Sequence, residues 1–313
     1  MNAIQIQDLH KHYGNVHALD GLTLAVQTGT IFGFLGPNGA GKSTTIRLLT
    51  GLSHPTSGQA RVAGEAVTQN RHMNARIGYL PEEPTFYGWM TPAEFLDYAA
   101  SLFGMKATER KQRVTELLEL VGLREAGKRR IAGFSRGMRQ RLGLAQALIN
   151  GPEVLFLDEP VSALDPAGRK EMLELIGTLS GRCTVFMSTH ILADVERICD
   201  TIGIIDHGKL LVEASQAELM ARYTMPAFEL ECEPGDEARL ATLAQSLIAV
   251  SWVSSAMVQD NLVRVLVKDV SAARQRLLPL VAQAGVPLRR YEQVVPSLED
   301  IFLQVVNGKG GVA

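Results

Sequence analysis

The sequence predicts a mostly parallel α/β domain followed by a small α+β domain whose elements follow a ferredoxin-like order. Three observations carry this. Short apolar runs alternate with helical patterns through the first two thirds of the chain. One run, Ile31-Phe32-Gly33-Phe34-Leu35, passes straight into a glycine-rich turn and then a helical pattern. The order then breaks near Tyr223-Thr224-Met225-Pro226 and resumes as strand, helix, two strands, helix, strand. Domains are therefore expected over residues 1–222 and 226–313.

Taken in order, Ile4-Gln5-Ile6 and Leu22-Thr23-Leu24-Ala25-Val26 read as strands. After the turn, Thr44 to Leu49 reads as a helix. Residues 85–150 are helical in pattern. Thr91-Pro92-Ala93-Glu94 forms a capping box with proline at the first helical position, and Phe95, Leu96, Ala99, Leu102 and Phe103 repeat at helical spacing. Strands return at Val154 to Leu157, Thr184 to Met187 and Ile202 to Ile205. Between the first two lies a helix capped by Asp165 and carrying Met172, Leu173, Ile176 and Leu179. Beyond the break come a strand at Ala227 to Cys232 and a helix with Leu240, Leu243 and Leu247. Two strands then flank Gln259-Asp260-Asn261. A second helix holds Pro279, which is expected to kink or shorten it. A strand from Leu288 to Val295 and a last helix capped by Ser297 complete the pattern.

Composition narrows the function classes. Hydrophobic residues make up 46% and charged residues 20% of the 313, as in a packed soluble protein. With 31 basic against 33 acidic residues, the chain lacks the positive balance of a phosphate-backbone binder. Its three cysteines, Cys183, Cys199 and Cys232, form no CxxC pair, so neither a zinc site nor a disulfide framework is expected, in keeping with a reducing compartment. The N-terminus lacks the pattern of a secretion signal, and no window of 18 residues is apolar enough to span a bilayer. A membrane process would require another chain for its membrane part.

The chemistry is concentrated in a few segments. Gly36-Pro37-Asn38-Gly39-Ala40-Gly41-Lys42-Ser43 matches GxxxxGK(S/T) in the required setting of strand before and helix after. Its glycines allow a tight loop whose N–H groups face inward and, with the helix N-terminus that includes Thr44, cradle phosphates. Lys42 would reach the β- and γ-phosphates of ATP, and the Ser43 hydroxyl would ligate Mg²⁺. The strand Val154-Leu155-Phe156-Leu157 ends in Asp158-Glu159, and in a parallel sheet that end lies beside the loop. Asp158 would hold Mg²⁺, and Glu159 would activate water against the γ-phosphate. The plain alternatives are a glycine-rich turn and a strand stopping at a polar turn.

Phe134-Ser135-Arg136-Gly137-Met138-Arg139-Gln140-Arg141 precedes a helix rich in Leu and Ala. It resembles the signature motif of ABC ATPases, usually Leu-Ser-Gly-Gly-Gln. With the phosphate loop, the acidic strand end, Ser162-Ala163-Leu164-Asp165 and His190, residues 1 to about 220 resemble a complete ABC nucleotide-binding domain. The resemblance implies a phosphate-loop fold in which an antiparallel β subdomain and a helical subdomain adjoin the core sheet. It also assigns roles. Tyr13 would stack on adenine, unless it is only a tyrosine packed at a strand end. Ser135 and Gly137 would touch the γ-phosphate bound to a second copy, although Ser135 alone reads equally as a helix cap. Asp165 would communicate across that interface. His190 would contact the γ-phosphate and orient Glu159; its plain alternative is a solvated histidine at a helix start.

Two departures stand out. The family usually has glutamine where this chain has Glu82, after Ile77-Gly78-Tyr79-Leu80-Pro81. A carboxylate still ligates Mg²⁺ but adds charge beside Asp158 and Glu159. Arg136 and Met138 replace the usual Gly and Gln of the signature. Both departures, and the ending Pro296-Ser297-Leu298-Glu299-Asp300-Ile301-Phe302-Leu303, resemble bacterial exporters that pair a soluble ATPase with a six-helix permease, including antibiotic-resistance and sodium-extrusion systems. The resemblance implies an ATPase motor working as a head-to-tail dimer at the inner face of the cell membrane. An importer, a weakly hydrolysing regulatory subunit, and a soluble ABC protein acting on ribosomes or DNA are the alternatives. The single phosphate loop and balanced charge argue against the last, and no nucleic-acid partner is expected.

Overall fold

The computed structural model describes residues 1–67, 71–162, 164–223, 226–233 and 235–294, with 298, 301, 302 and 305. Ala163, the break at Thr224-Met225, Val295 and the expected cap Ser297 lie outside the described residues. Contacts divide the chain into two units, one built on Met1–Gln216 and one on Ala217–Asn307.

In the first unit, β1 (Asn2–Tyr13) and β2 (Val16–Gln27) form a long antiparallel hairpin, much longer than the apolar runs that announce it. One face of the hairpin is buried and the other polar, so only alternate residues carry a hydrophobic signal. β3 (Ile31–Leu35) leads into α1 (Lys42–Leu49). β4 (Ser57–Val62) and β5 (Glu65–Ala66) extend the hairpin into a sheet of order β2-β1-β4-β5. The short α2 (Arg71–Asn74) precedes β6 (Ile77–Leu80).

Three helices follow: α3 (Pro92–Leu102), α4 (Ala107–Leu120) and α5 (Arg136–Ala147). The Thr91 hydroxyl accepts from the Glu94 N–H, and the Glu94 carboxylate accepts from the Thr91 N–H, so both halves of the capping box form. Phe95, Leu96 and Ala99 are buried as the spacing predicts. Leu102 and Phe103 are not; they are exposed and line an open cavity of about 380 Å³ with Leu52, Tyr79 and Ala147. Helical spacing identifies one stripe, but in the last turn of α3 only Ala99 and Ala100 are buried.

β7 (Val154–Asp158), α6 (Pro166–Gly177), β8 (Thr184–Thr189), α7 (Leu192–Ile198), β9 (Thr201–Asp206) and β10 (Lys209–Ser215) complete the unit. The main sheet has the order β10-β9-β3-β8-β7-β6, parallel except for β9 with β10. β3, β7 and β8 are buried along their whole length, the pattern of strands covered on both faces. Phe32, Phe34, Phe156 and Phe186 meet within this core, with ring centroids 5.1–5.8 Å from Phe186. Asp165 takes the N-cap position of α6 as expected, but its side chain makes no capping bond.

In the second unit, α8 (Gln216–Tyr223) precedes β11 (Ala227–Cys232), α9 (Glu237–Ile248), β12 (Val253–Gln259), β13 (Leu262–Val267), α10 (Val270–Gln283) and β14 (Leu288–Val294). The antiparallel sheet runs β12-β13-β11-β14, the strand order of a ferredoxin-like fold. Phe228, Leu230, Val263 and Val265 pack with Leu240, Leu243 and Leu277. α10 is not shortened at Pro279 but runs on to Gln283.

Gly78 in β6 shows how tightly α5 lies on the main sheet. A Cβ there would collide with the carbonyl oxygen of Ala147. Gly78→Ala should therefore lower stability by about 1–3 kcal/mol, the usual cost of overpacking, read as a fall in the urea midpoint. An unchanged midpoint would contradict this packing.

Candidate functional site

Because β3, β6, β7 and β8 are parallel, their C-terminal ends share one edge. Leu35 stands opposite Thr189, and Asp158 opposite Ser188. The phosphate loop, Glu82, Asp158, Glu159 and His190 all follow or end strands at that edge. Pro37 to Ser43 leave β3 as a loop closed by Ala40 N–H to Pro37 carbonyl at 3.2 Å. Gly36 is pressed against β9, where a Cβ would strike the Ile205 carbonyl. Gly41 has φ 110° and lies so close to the Ala18 carbonyl that a side chain would sit 2.6 Å from it. Gly41 is also the N-cap of α1 and has no side chain to satisfy the first N–H groups, which are left for a ligand.

Lys42 folds back over the loop. Its ammonium donates to the Gly36 carbonyl at 2.7 Å and lies 3.2 Å from Glu159 Oε1. Both side chains are almost fully buried, so each charge depends on the other. Ser43 Oγ donates to Asp158 Oδ1 at 3.1 Å, and Ser188 Oγ donates to the same oxygen at 2.6 Å. The Ser188 hydroxyl in turn accepts from the Glu159 N–H at 3.1 Å. Glu159 has φ 48°, an uncommon backbone for a non-glycine residue, and its Oε2 lies 2.9 Å from His190 Nδ1. Ordered carboxylates, one buried cation and one imidazole thus converge at the end of β7.

These groups open into a cavity of about 280 Å³. It is lined by Asn38, Gly39, Gly41, Lys42, Ser43 and Thr44 of the loop and the start of α1, by Glu82, Glu159 and His190, and by Val16, His17 and Ala18 of β2. Gly36, Pro37 and Ala40 do not line it; they shape and anchor the loop. Tyr13 does not line it either, but it is half exposed and is the cross-strand partner of Val16 at the rim.

Ser135, Gly137 and Asp165 lie elsewhere. Together with Arg136, Leu164 and Gly168 they line a separate cavity of about 400 Å³ that shares no residue with the first. The Ser135 hydroxyl accepts from the Met138 N–H and so does cap α5. Arg136 is exposed, with its guanidinium 3.8 Å from Glu83.

Glu82 is exposed and lines both the phosphate-loop cavity and a neighbouring one with Arg136, Arg139 and Gln140. Its carbonyl accepts from the Gln140 amide at 2.6 Å. Sequence reasoning gave no role to Gln140 or to the hydroxyl of Ser188. The start of β2, which lines the cavity, and the Arg169–Asp194 pair linking α6 to α7 at 2.7 Å, also carried no sequence signal. Burial pushes the Asp194 carboxyl above its usual range, and Arg169 offsets this only partly. None of these residues has a local motif; each is defined by what crosses over it in space.

Comparison with known proteins then decides the family. The ABC transporter profile matches residues 19–162, and that of the ATP-binding protein DrrA1-3-like C-terminal domain matches 215–306. The chain is 39% identical over 305 residues to an uncharacterized ABC transporter ATP-binding protein of Bacillus subtilis, covering 97% of this chain and 99% of the other. The chain belongs to the ABC transporter family. The bacitracin transport ATP-binding protein BcrA of Bacillus licheniformis is 38% identical, with 97% of both chains covered. The daunorubicin resistance ATP-binding protein DrrA3 of Streptomyces coeruleorubidus is 33% identical, covering 97% of this chain and 95% of that one. Among solved structures, an ATP-binding subunit of an ABC transporter matches with TM-score 0.64 at 30% identity, covering 71% of this chain and 93% of that one. A dimeric ATP-binding cassette bound to ADP and phosphate matches at TM-score 0.62 and 23% identity, covering 68% and 98%, and shares the fold.

This ABC ATPase is therefore an ATP-binding and ATP-hydrolysing motor subunit of a transporter, in the exporter branch. Lys42→Ala should weaken ATP binding by roughly 10²-fold or more, since removing one partner of a desolvated charge pair costs about 3–5 kcal/mol. Nucleotide titration of the purified chain checks this, and an unchanged affinity would contradict the cradle.

Proposed function

We propose that two copies of this chain, arranged head to tail, clamp two molecules of Mg·ATP and drive a separate membrane permease that exports its cargo. The observation that carries this reading is the division of the site. The phosphate loop, Glu159 and His190 line one cavity, whereas Ser135, Gly137 and Asp165 line another with no residue in common. A second copy facing the first would bring its Ser135 and Gly137 onto the γ-phosphate. The Ser135 hydroxyl accepts a cap bond but keeps its proton free to donate.

Within one site, Lys42 would leave Glu159 for the β- and γ-phosphates. Glu159, held by His190 Nδ1, would then take a proton from the attacking water. Tyr13 would stack on adenine, beside the wall made by Val16 and Ala18. Ser43 and Asp158 fit Mg²⁺, being oxygen donors already within hydrogen-bonding distance of each other, and Glu82 lines the same cavity as Ser43 and would be a further oxygen donor. The ion would neutralise phosphate charge. Asp165 would signal between the copies.

No helix among the described residues is long and apolar enough to cross a membrane. The relatives named as bacitracin transport and daunorubicin resistance proteins support work beside a permease at the inner face of the membrane. Tyr87, Trp89 and Tyr98 support a docking place for it. They are exposed on and before α3, with Tyr87 6.1 Å from each of the other two rings. The second unit, with an apolar core of its own, is proposed to stabilise the pair.

Two outcomes test the reading. Glu159→Gln should keep ATP binding but slow hydrolysis by roughly 10²–10⁴, the usual weight of a general base; wild-type turnover would move the base elsewhere. In that slow background, Ser135→Arg should abolish the dimer that ATP induces, as measured by size-exclusion chromatography. A dimer that survives would count against a shared site.

A further inference from the structure

We propose that Lys11 is a positioning residue for nucleotide binding: it holds the Tyr13 ring from one face so that the other face receives the base. This rests on the reading of Tyr13 as the base platform. Lys11 Nζ lies 4.7 Å from the centre of the Tyr13 ring, within the range of a cation–π contact. The two residues are separated by one position on β1, so their side chains leave the same face of the strand. The ammonium is also tethered, donating to the His54 carbonyl at 2.8 Å.

That tether belongs to a larger attachment. The Thr56 N–H donates to the His10 carbonyl at 2.8 Å, and the His12 N–H donates to Thr56 Oγ1 at 3.0 Å. The end of β1 is thereby fastened to the segment that joins α1 to β4. α1 begins at the phosphate cradle and ends at Leu49, just before that segment. The base platform and the phosphate cradle are thus connected through α1 and His54, with Lys11 as the link to the aromatic ring. Tyr13 is 48% exposed, so its ring needs such a restraint to present one orientation. The cation also draws on the π electrons of the ring, leaving the opposite face better suited to a stacked purine.

The test is nucleotide titration of the full chain with ATP and with inorganic tripolyphosphate, which carries the charge but no base. Lys11→Met should weaken ATP roughly two- to fivefold, the equivalent of an exposed cation–π contact, and leave tripolyphosphate unchanged. In steady-state hydrolysis the same change should appear in KM and not in kcat. Lys11→Arg keeps a cation over the ring and should restore the wild-type affinity. In a Tyr13→Ala background, Lys11→Met should add nothing further. An ATP affinity unaffected by Lys11→Met, while Tyr13→Ala weakens it, would overturn the role of Lys11 alone. Equal weakening of ATP and tripolyphosphate would overturn it as a plain charge effect, and tighter ATP would show that the ammonium blocks the stacking face. ATP affinity unchanged in Tyr13→Ala would sink the platform and this proposal together.

Discussion

The pairing of Lys42 with Glu159 at the end of β7 is the constraint on which the rest of the site depends. Two carboxylates, Asp158 and Glu159, are buried at adjacent positions, and water is largely excluded from both. Burying one charge without a partner is costly enough to unfold a site; burying two side by side demands a set of donors in fixed places. Lys42 answers Glu159, while Ser43 and Ser188 both donate to Asp158. The phosphate loop, the end of β8 and the end of β7 are thereby held in one arrangement. Among these donors only Lys42 brings a compensating charge; the two hydroxyls supply hydrogen bonds. In the proposed reaction, ligand phosphates would compete with Glu159 for Lys42.

The same arrangement explains why the helical segment is more than an addition to the sheet. Glu82 leaves β6 beside the cavity, and its carbonyl is gripped by the buried amide of Gln140 on α5. Ser135 and Gly137 stand at the start of that helix. Glu82 is therefore joined to the signature segment by one hydrogen bond and the first turns of α5. Arg169 and Asp194 link α6, which follows Asp165, to α7, which follows His190. Each segment proposed to face a second copy is thus joined by a side-chain contact to a segment at the edge that carries the phosphate loop.

The second unit is built on different physics. Its core is a single layer of apolar side chains between α9, α10 and the inner face of the sheet. On the other face Glu229, Glu231 and Arg290 pair across neighbouring strands at 2.9–3.3 Å. These pairs are partly exposed, so each contributes little alone, and they serve mainly to keep alternate residues in register.

How much was legible in the sequence follows from how local each signal is. The loop Gly36 to Ser43, the capping box at Thr91 and Glu94, and the fully apolar strands β3, β7 and β8 depend on neighbouring residues, so sequence alone determined them and with them the fold class. The ferredoxin-like order was legible for the same reason, since α9 and the strands around Asp260 carry clear periodicity. The length of β1 and β2 was not, because half of each strand faces outward and is polar. Nor was the continuation of α10 through Pro279, which a packed apolar face sustains against local preference. Only the tertiary structure decided that Ser188 braces Asp158, that Gln140 holds Glu82, that Leu102 and Phe103 face an open cavity and not the core, and that Lys11 stands over Tyr13. The sequence determined which residues carry charge and where the chain turns; which charges meet was decided by strands and helices crossing at distances no local pattern records.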